Sequence, residues 1–229
     1  MTVLDCIPTG CKKIDEVLDG GIPNQEVTMI YGAAETGKST FVMQCAVNCA
    51  RYDHKTLFVD CDGTFSARRI SQVASQDFEE IAKLIILMKP KEFSEQTVII
   101  EQLADYITSS FGLIAIDTIT SLYSKEISEY PKKTFQLNRE INRQMALLAQ
   151  TAKTQKIVIL TTSQVRSAFT GAITGIEPVA TRVLKFWSDT VITLNPTKTP
   201  QIVKAILEKT SRKVKRAKVN LRIDETGIH

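Results

Sequence analysis

Residues 32 to 39 read Gly32-Ala33-Ala34-Glu35-Thr36-Gly37-Lys38-Ser39, with Thr40 next. Glycines at this spacing let backbone N–H groups curl around an oligophosphate, and the lysine can neutralise its outer phosphates while the hydroxyl ligates a magnesium ion. So short a pattern can recur by chance, so its neighbours decide. It follows the apolar run Val27-Thr28-Met29-Ile30-Tyr31 and opens the segment Phe41 to Ala50. A strand thus delivers the loop and a helix N-terminus supplies the positive pole that a phosphate group needs. The expectation is ATP held with Mg2+ by Gly32, Ala33, Ala34, Glu35, Thr36, Gly37, Lys38, Ser39 and Thr40, with Lys38 taking part in catalysis.

A second group on the magnesium side belongs at the end of a buried strand. Leu113-Ile114-Ala115-Ile116-Asp117 offers four apolar residues and then a carboxylate at the edge where open parallel sheets place ligands. Asp117 is expected to hold a metal-bound water. Hydrolysis also needs a group to orient the attacking water. Thr56 to Asp60 runs into Cys61-Asp62-Gly63-Thr64-Phe65, which brings Asp60 and Asp62 to the same sheet edge. Alternation along an extended backbone would put both on one face, and Asp62 lies further out, so it is the favoured base. Gln164, after the run Ile157 to Ser163, can sense a γ-phosphate through its amide.

Short β-branched runs alternating with longer amphipathic segments predict an α/β fold, with a mostly parallel central sheet and helices on both faces. The pattern places strands at Glu26 to Tyr31, Thr56 to Asp60, Lys83 to Met88, Leu113 to Asp117 and Ile157 to Thr161. Helices fall at about Ser39 to Ala50, Ser66 to Ser75, Ser94 to Ser110 and Thr134 to Thr154. In the last, Leu137, Ile141, Met145, Leu148 and Ala152 form one stripe. Thr190 to Leu194, Ile202 to Glu208 and Lys218 to Ile223 read as antiparallel strands extending the sheet. With no repeat or linker visible in 229 residues, residues 1–229 read as a single domain.

No uncharged apolar stretch long enough to cross a bilayer occurs and the N-terminus lacks a signal-like run, so a cytoplasmic location without membrane contact is expected. Five scattered cysteines suit reduced thiols, and only two histidines are present, His54 and His229, too few for a zinc site. The net charge of +4 is uneven. Lys209, Arg212, Lys213, Lys215, Arg216, Lys218 and Arg222 fall within one acid-free segment, and the rest of the chain is slightly acidic. One localised cluster of this kind suits a polyanion.

Taken in order, these motifs resemble the RecA-like recombinase ATPases of the phosphate-loop class, most closely the archaeal RadB group. The resemblance is carried by Pro8-Thr9-Gly10-Cys11-Lys12-Lys13-Ile14-Asp15 through Ile22, Tyr31 to Ser39, Val59 to Phe65, Ile116-Asp117-Thr118-Ile119-Thr120, Ser163-Gln164-Val165, and Leu221-Arg222-Ile223 before Thr226-Gly227-Ile228. It implies a RecA-like core without the helical N-terminal DNA-binding domain of strand-exchange recombinases. It also implies an accessory role in homologous recombination and DNA repair, with ATP and DNA binding, weak hydrolysis at most and no strand exchange. Partners implied are single-stranded or branched DNA, the main recombinase, a Holliday-junction resolvase and further copies of the chain. By position, Lys38, Ser39 and Asp117 match the family's phosphate and metal groups, and Arg69 matches an arginine that stacks on adenine. Asp62 stands where glutamate is usual. A carboxylate retracted by one methylene, with Glu35 near the triphosphate, predicts slow turnover, since misplacement of about 1 Å can cost a hundredfold.

The same resemblance places DNA against two loops, here Ser124 to Lys133 with Lys125, Tyr130, Lys132 and Lys133, and Arg166 to Pro178 with Arg166 and Phe169. Both mix cations with an aromatic ring, which suits backbone neutralisation and base stacking. The Lys209 to Lys218 cluster admits three readings. Lys213, Lys215 and Arg216 form a DNA-binding ridge, Lys209 or Arg212 reaches a neighbour's γ-phosphate, or the segment is a solvated hairpin. Two other function classes compete with the repair reading: a KaiC-type signalling ATPase working through protein partners, and a scaffold that binds ATP without hydrolysing it.

Overall fold

The computed structural model describes residues 4–166, 177–178, 180–211 and 217–229, with only the backbone at 164–166, 177, 178 and 181. Strand β1 (Cys6–Ile7) pairs antiparallel with β2 (Ile22–Pro23) around the short helix α1 (Lys12–Val17). This opening hook is closed by Asp15, whose Oδ1 accepts from both the backbone N–H and the hydroxyl of Thr9 at 2.7 Å. The Thr-Gly-x4-Asp spacing is therefore a local hydrogen-bond requirement.

The main layer starts with β3 (Val27–Gly32), buried throughout, and the helix α2 (Lys38–Arg51) that follows the glycine loop. Then come β4 (Lys55–Asp60), α3 (Ala67–Ala74), α4 (Phe78–Lys83), β5 (Ile85–Met88), α5 (Phe93–Glu101), α6 (Leu103–Tyr106) and β6 (Phe111–Asp117). The second half adds α7 (Ser121–Glu129), α8 (Thr134–Gln155), β7 (Val158–Arg166), β8 (Glu177–Pro178), α9 (Thr181–Trp187), β9 (Thr190–Pro196), β10 (Ile202–Lys209), β11 (Lys218–Asp224) and β12 (Gly227–Ile228).

Among the described residues the sheet order is β12-β11-β10-β9-β3-β7-β6-β4-β5, with β8 beside β7. From β9 to β5 neighbouring strands are parallel, whereas β9, β10, β11 and β12 pair antiparallel. The parallel strands read as continuous apolar runs because both their faces are covered. Successive side chains of β3 go to opposite sides: Ile30 packs with Phe41, Val42 and Phe58 on the α2 side, and Met29 and Tyr31 with Ile141, Met145 and Leu148 on the α8 side. The ends of β3, β4 and β6 consequently share one edge of the sheet.

Four sequence expectations need correcting. The strand expected from Lys83 begins at Ile85, because Phe78 to Lys83 form a helix whose Ile81 is buried. The long helix expected over Ser94 to Ser110 is two helices joined at Gln102 and ending at Tyr106. The strand expected to stop at Thr161 continues to Arg166. Ser124 to Lys133 is not a loop: it is helical to Glu129 and again over Pro131–Lys133, with Leu122 and Tyr123 of the same helix anchored in the core.

Candidate functional site

Gly32 ends β3 so close to β9 that an added Cβ would lie 2.1 Å from the Leu194 carbonyl oxygen, so any larger residue would push the two strands apart. The loop then turns through Glu35, whose φ is 62°, and Gly37, whose φ is 85°. Positive φ at Gly37 costs little in glycine and more in any residue with a Cβ. Glu35 is exposed, and the Thr36 hydroxyl donates to the Ala33 carbonyl at 2.8 Å. Gly37 is the N-cap of α2, and no side chain caps that helix start. Ser39 and Thr40 lie in its first turn.

Lys38 is buried and its Nζ donates to the Ala33 carbonyl at 2.6 Å, which folds the side chain back along the loop. Burial pulls its ammonium below the ordinary lysine value, and Asp117 and Asp62 act in the opposite direction. The cation therefore senses both acids. On the metal side a chain of hydroxyls connects the loop to β6: the Ser39 and Thr64 hydroxyls are 3.4 Å apart, and Thr64 donates to Asp117 Oδ2 at 3.4 Å. Asp117 is fully buried at the end of β6, takes a hydrogen bond from Thr162 on its other oxygen, and precedes Thr118 through a cis peptide bond. A hard cation with a phosphate partner would suit the oxygen-only set that Ser39 and Asp117 offer.

The two acids at the end of β4 and just beyond it have separate tasks. β4 ends at Asp60, so the alternation does not continue to Asp62. Asp60 turns inward, accepting from the backbone N–H groups of Thr64 at 2.9 Å and Phe65 at 3.2 Å and pairing with Lys89 at 3.4 Å. It shapes the turn that presents Thr64. Asp62 instead reaches the end of β6, where Thr118 donates to Oδ2 at 2.7 Å and Ser121 donates to Oδ1. Thr64, Thr118 and Ser121 were missed in the sequence because a hydroxyl one turn from a motif carries no pattern of its own.

Other expected residues sit elsewhere. Arg69, at the start of α3, donates to the carbonyls of Asp224 at 2.6 Å and Glu225 at 3.0 Å, so it fastens the β11–β12 turn. That turn lies over the loop, since Ile223 and Ile228 are the side chains nearest Gly37. Behind the loop, the buried Gln44 of α2 donates to the carbonyls of Thr9 and Ile228 and accepts from the Ile228 N–H. Gln164 pairs with Gly32 through its backbone, but its side chain and that of Arg166 lie outside the described residues, as do Phe169, Arg212, Lys213, Lys215 and Arg216. Lys209 is held within the chain, donating to the carbonyls of Lys185 at 2.9 Å and Ser188 at the C-terminal end of α9. Lys133 lies 4.5 Å over the Tyr130 ring, and Lys125 and Lys133 line a cavity of about 250 Å³ with Lys91 and three glutamates. Lys132 is the middle residue of the short helical turn Pro131–Lys133. A cavity of about 450 Å³ between α9 and β10 lies away from the glycine loop.

The Rad51 family model matches residues 2–229. The chain is 32% identical over 215 residues to the DNA repair and recombination protein RadB of Methanococcus maripaludis strain C5, covering 94% of this chain and 96% of that protein. The protein of the same name in Methanocaldococcus jannaschii is 31% identical over 215 residues, with 94% and 98% covered. Among solved structures, the crystal structure of the RadB recombinase superposes with a TM-score of 0.81 at 28% identity, covering 97% of this chain and 98% of that one.

Proposed function

This chain belongs to the Rad51 family, and from that premise we propose that it is an ATP- and DNA-binding accessory protein of homologous recombination and DNA repair, with slow ATP hydrolysis and no strand exchange of its own. The observation that carries the nucleotide half is the hydroxyl chain from Ser39 through Thr64 to Asp117 beside the buried Lys38 ammonium. In this reading the loop amides and the start of α2 hold the triphosphate, Lys38 balances the β- and γ-phosphate charge, and Ser39 and Asp117 hold magnesium. When bound, the metal ion would neutralise charge on the phosphates. Asp62 would orient the attacking water, and Arg69 would lie on the adenine side beside the β11–β12 turn.

Slow hydrolysis follows from Asp62. Its side chain is short and already accepts hydrogen bonds on both oxygens, so little of its basicity is left for water. The exposed Glu35 side chain adds negative charge on the outer side of the loop. For DNA, the reading uses Lys125, Lys132, Lys133 and Arg166, with Lys213, Lys215 and Arg216 as a second basic contact. A single RecA-like core acting with the main recombinase and a Holliday-junction resolvase completes the proposal. The RadB names of the relatives favour this over a KaiC-type signalling role. No helix among the described residues is long and apolar enough to cross a membrane.

Filter binding of single-stranded DNA with and without Mg-ATP tests the DNA half. The expected result is retention that weakens as salt rises, with a shallower salt slope after Lys213, Lys215 and Arg216 are replaced by alanine. No retention at low salt, or an unchanged slope, would count against it.

A further inference from the structure

The contacts around Asp62 carry an inference that rests on its water-orienting role and goes beyond it. Four hydroxyls hold two acids, Thr64 reaching Asp117 at 3.4 Å. Thr162 stands closer to Asp117 than to the Thr118 hydroxyl, 2.5 Å against 3.2 Å, so its single proton goes to Asp117. Thr118 stands at 2.7 Å from Asp62 and 3.5 Å from Asp117, so its proton goes to Asp62. Ser121, the first residue of α7, donates to the remaining Asp62 oxygen. Thr162 and Thr64 thus serve Asp117, while Thr118 and Ser121 serve Asp62. Thr118 is buried at the end of β6, so the anchor is part of the rigid sheet edge.

We propose that Thr118 and Ser121 are positioning residues that restrain the Asp62 carboxylate and so slow ATP hydrolysis. Hydrogen bonds to the charged form stabilise a carboxylate and weaken it as a base, and two of them also fix where it points. Releasing either one lets Asp62 swing toward a water molecule and accept more strongly from it.

The test measures single-turnover and steady-state ATP hydrolysis together with the affinity of a fluorescent ATP analogue. Thr118→Val removes the hydroxyl at nearly constant volume, Thr118→Ser keeps it, and Ser121→Ala removes the other donor. We expect Thr118→Val and Ser121→Ala each to raise kcat about three- to tenfold without changing nucleotide affinity, and Thr118→Ser to match the parent. In an Asp62→Ala background neither change should alter the rate, which separates action through Asp62 from a general structural effect. An unchanged or lower kcat with affinity intact overturns the proposal, as does an equal increase without Asp62. Should Thr118→Val fail to fold, Ser121→Ala alone decides. A parent protein that does not bind the analogue would instead refute the nucleotide reading on which this inference stands.

Discussion

Replacing Gln44 by alanine should unlock both ends of the chain from the helix that follows the phosphate loop. Gln44 is 4% exposed and makes three hydrogen bonds: Nε2 to the Thr9 carbonyl at 2.8 Å and to the Ile228 carbonyl at 3.0 Å, and Oε1 from the Ile228 N–H at 2.7 Å. Two glycines of positive φ close over it, Gly10 and Gly227, and a Cβ on either would come within 2.6 Å and 2.1 Å of its amide atoms. Truncation therefore leaves one buried N–H without its acceptor and two carbonyls without a donor, in a pocket lined by backbone. An orphaned buried group costs about 1–3 kcal/mol, and water entering the space will recover part of it, so the expected loss is about 3 kcal/mol. For a chain of this size that lowers Tm by roughly 6–12 °C. Urea unfolding at constant m-value is the assay, with Asn48→Ala as reference. Asn48 makes one such bond, to the Pro8 carbonyl at 2.9 Å, and should cost about 1 kcal/mol. A Gln44→Ala loss no larger than that of Asn48→Ala would refute the claim that this amide ties the two termini together.

Three further outcomes follow from particular contacts. Thr28 is fully buried in β3 and its hydroxyl finds no partner among the described residues, so Thr28→Val should raise the urea midpoint by about 1 kcal/mol in free energy, and a loss would show a hidden partner. Glu208 is desolvated by burial, but hydrogen bonds from Thr193, Tyr31 and Lys185 outweigh that and hold its carboxyl below the ordinary glutamate range. A carboxylate with a depressed folded value adds stability above its unfolded value and loses it as pH falls through the folded one. The stability gap between the parent and Glu208→Gln should therefore be open at pH 7 and shrink below about pH 4.3, whereas a gap independent of pH would contradict this. Lys209→Ala should cost about 1 kcal/mol and speed amide exchange in α9, whose last carbonyls it holds; unchanged exchange with impaired hydrolysis would favour a role at a neighbouring subunit.

The centre of the site was legible because each part combined a residue type with a place on the sheet. Lys38 and Asp117 both follow buried apolar runs, and parallel pairing brings the ends of such runs to one edge. The apolar stripe of α8 was equally clear, as a long helix repeats its signal over several turns. Short elements were harder. Phe78 to Lys83 is six residues long, too few for periodicity to outweigh the apolar Leu84-Ile85-Ile86 that follows. Ser124 to Lys133 was read as a loop because its charged outer face hid a helix pinned by Leu122 and Tyr123 just ahead of it. Asp60 is held by the N–H groups of Thr64 and Phe65 just after it and Asp62 by Thr118 and Ser121 far along the chain, and nothing in Asp-Cys-Asp itself distinguishes the acid that shapes a turn from the one that reaches the end of β6. Gln44, Arg69 and Lys209 act through backbone carbonyls far along the chain, contacts that no sequence pattern records.

The central claim is that the loop from Gly32 to Ser39 and the acid at the end of β6 hold one magnesium nucleotide. Titration calorimetry of the folded protein with Mg-ATP is its most direct test. The account predicts saturable binding at one site per chain, abolished by Lys38→Ala and weakened when magnesium is withheld or Asp117 is replaced by alanine. No heat of binding from a protein whose circular dichroism shows it folded, or binding unaffected by Lys38→Ala, would contradict it.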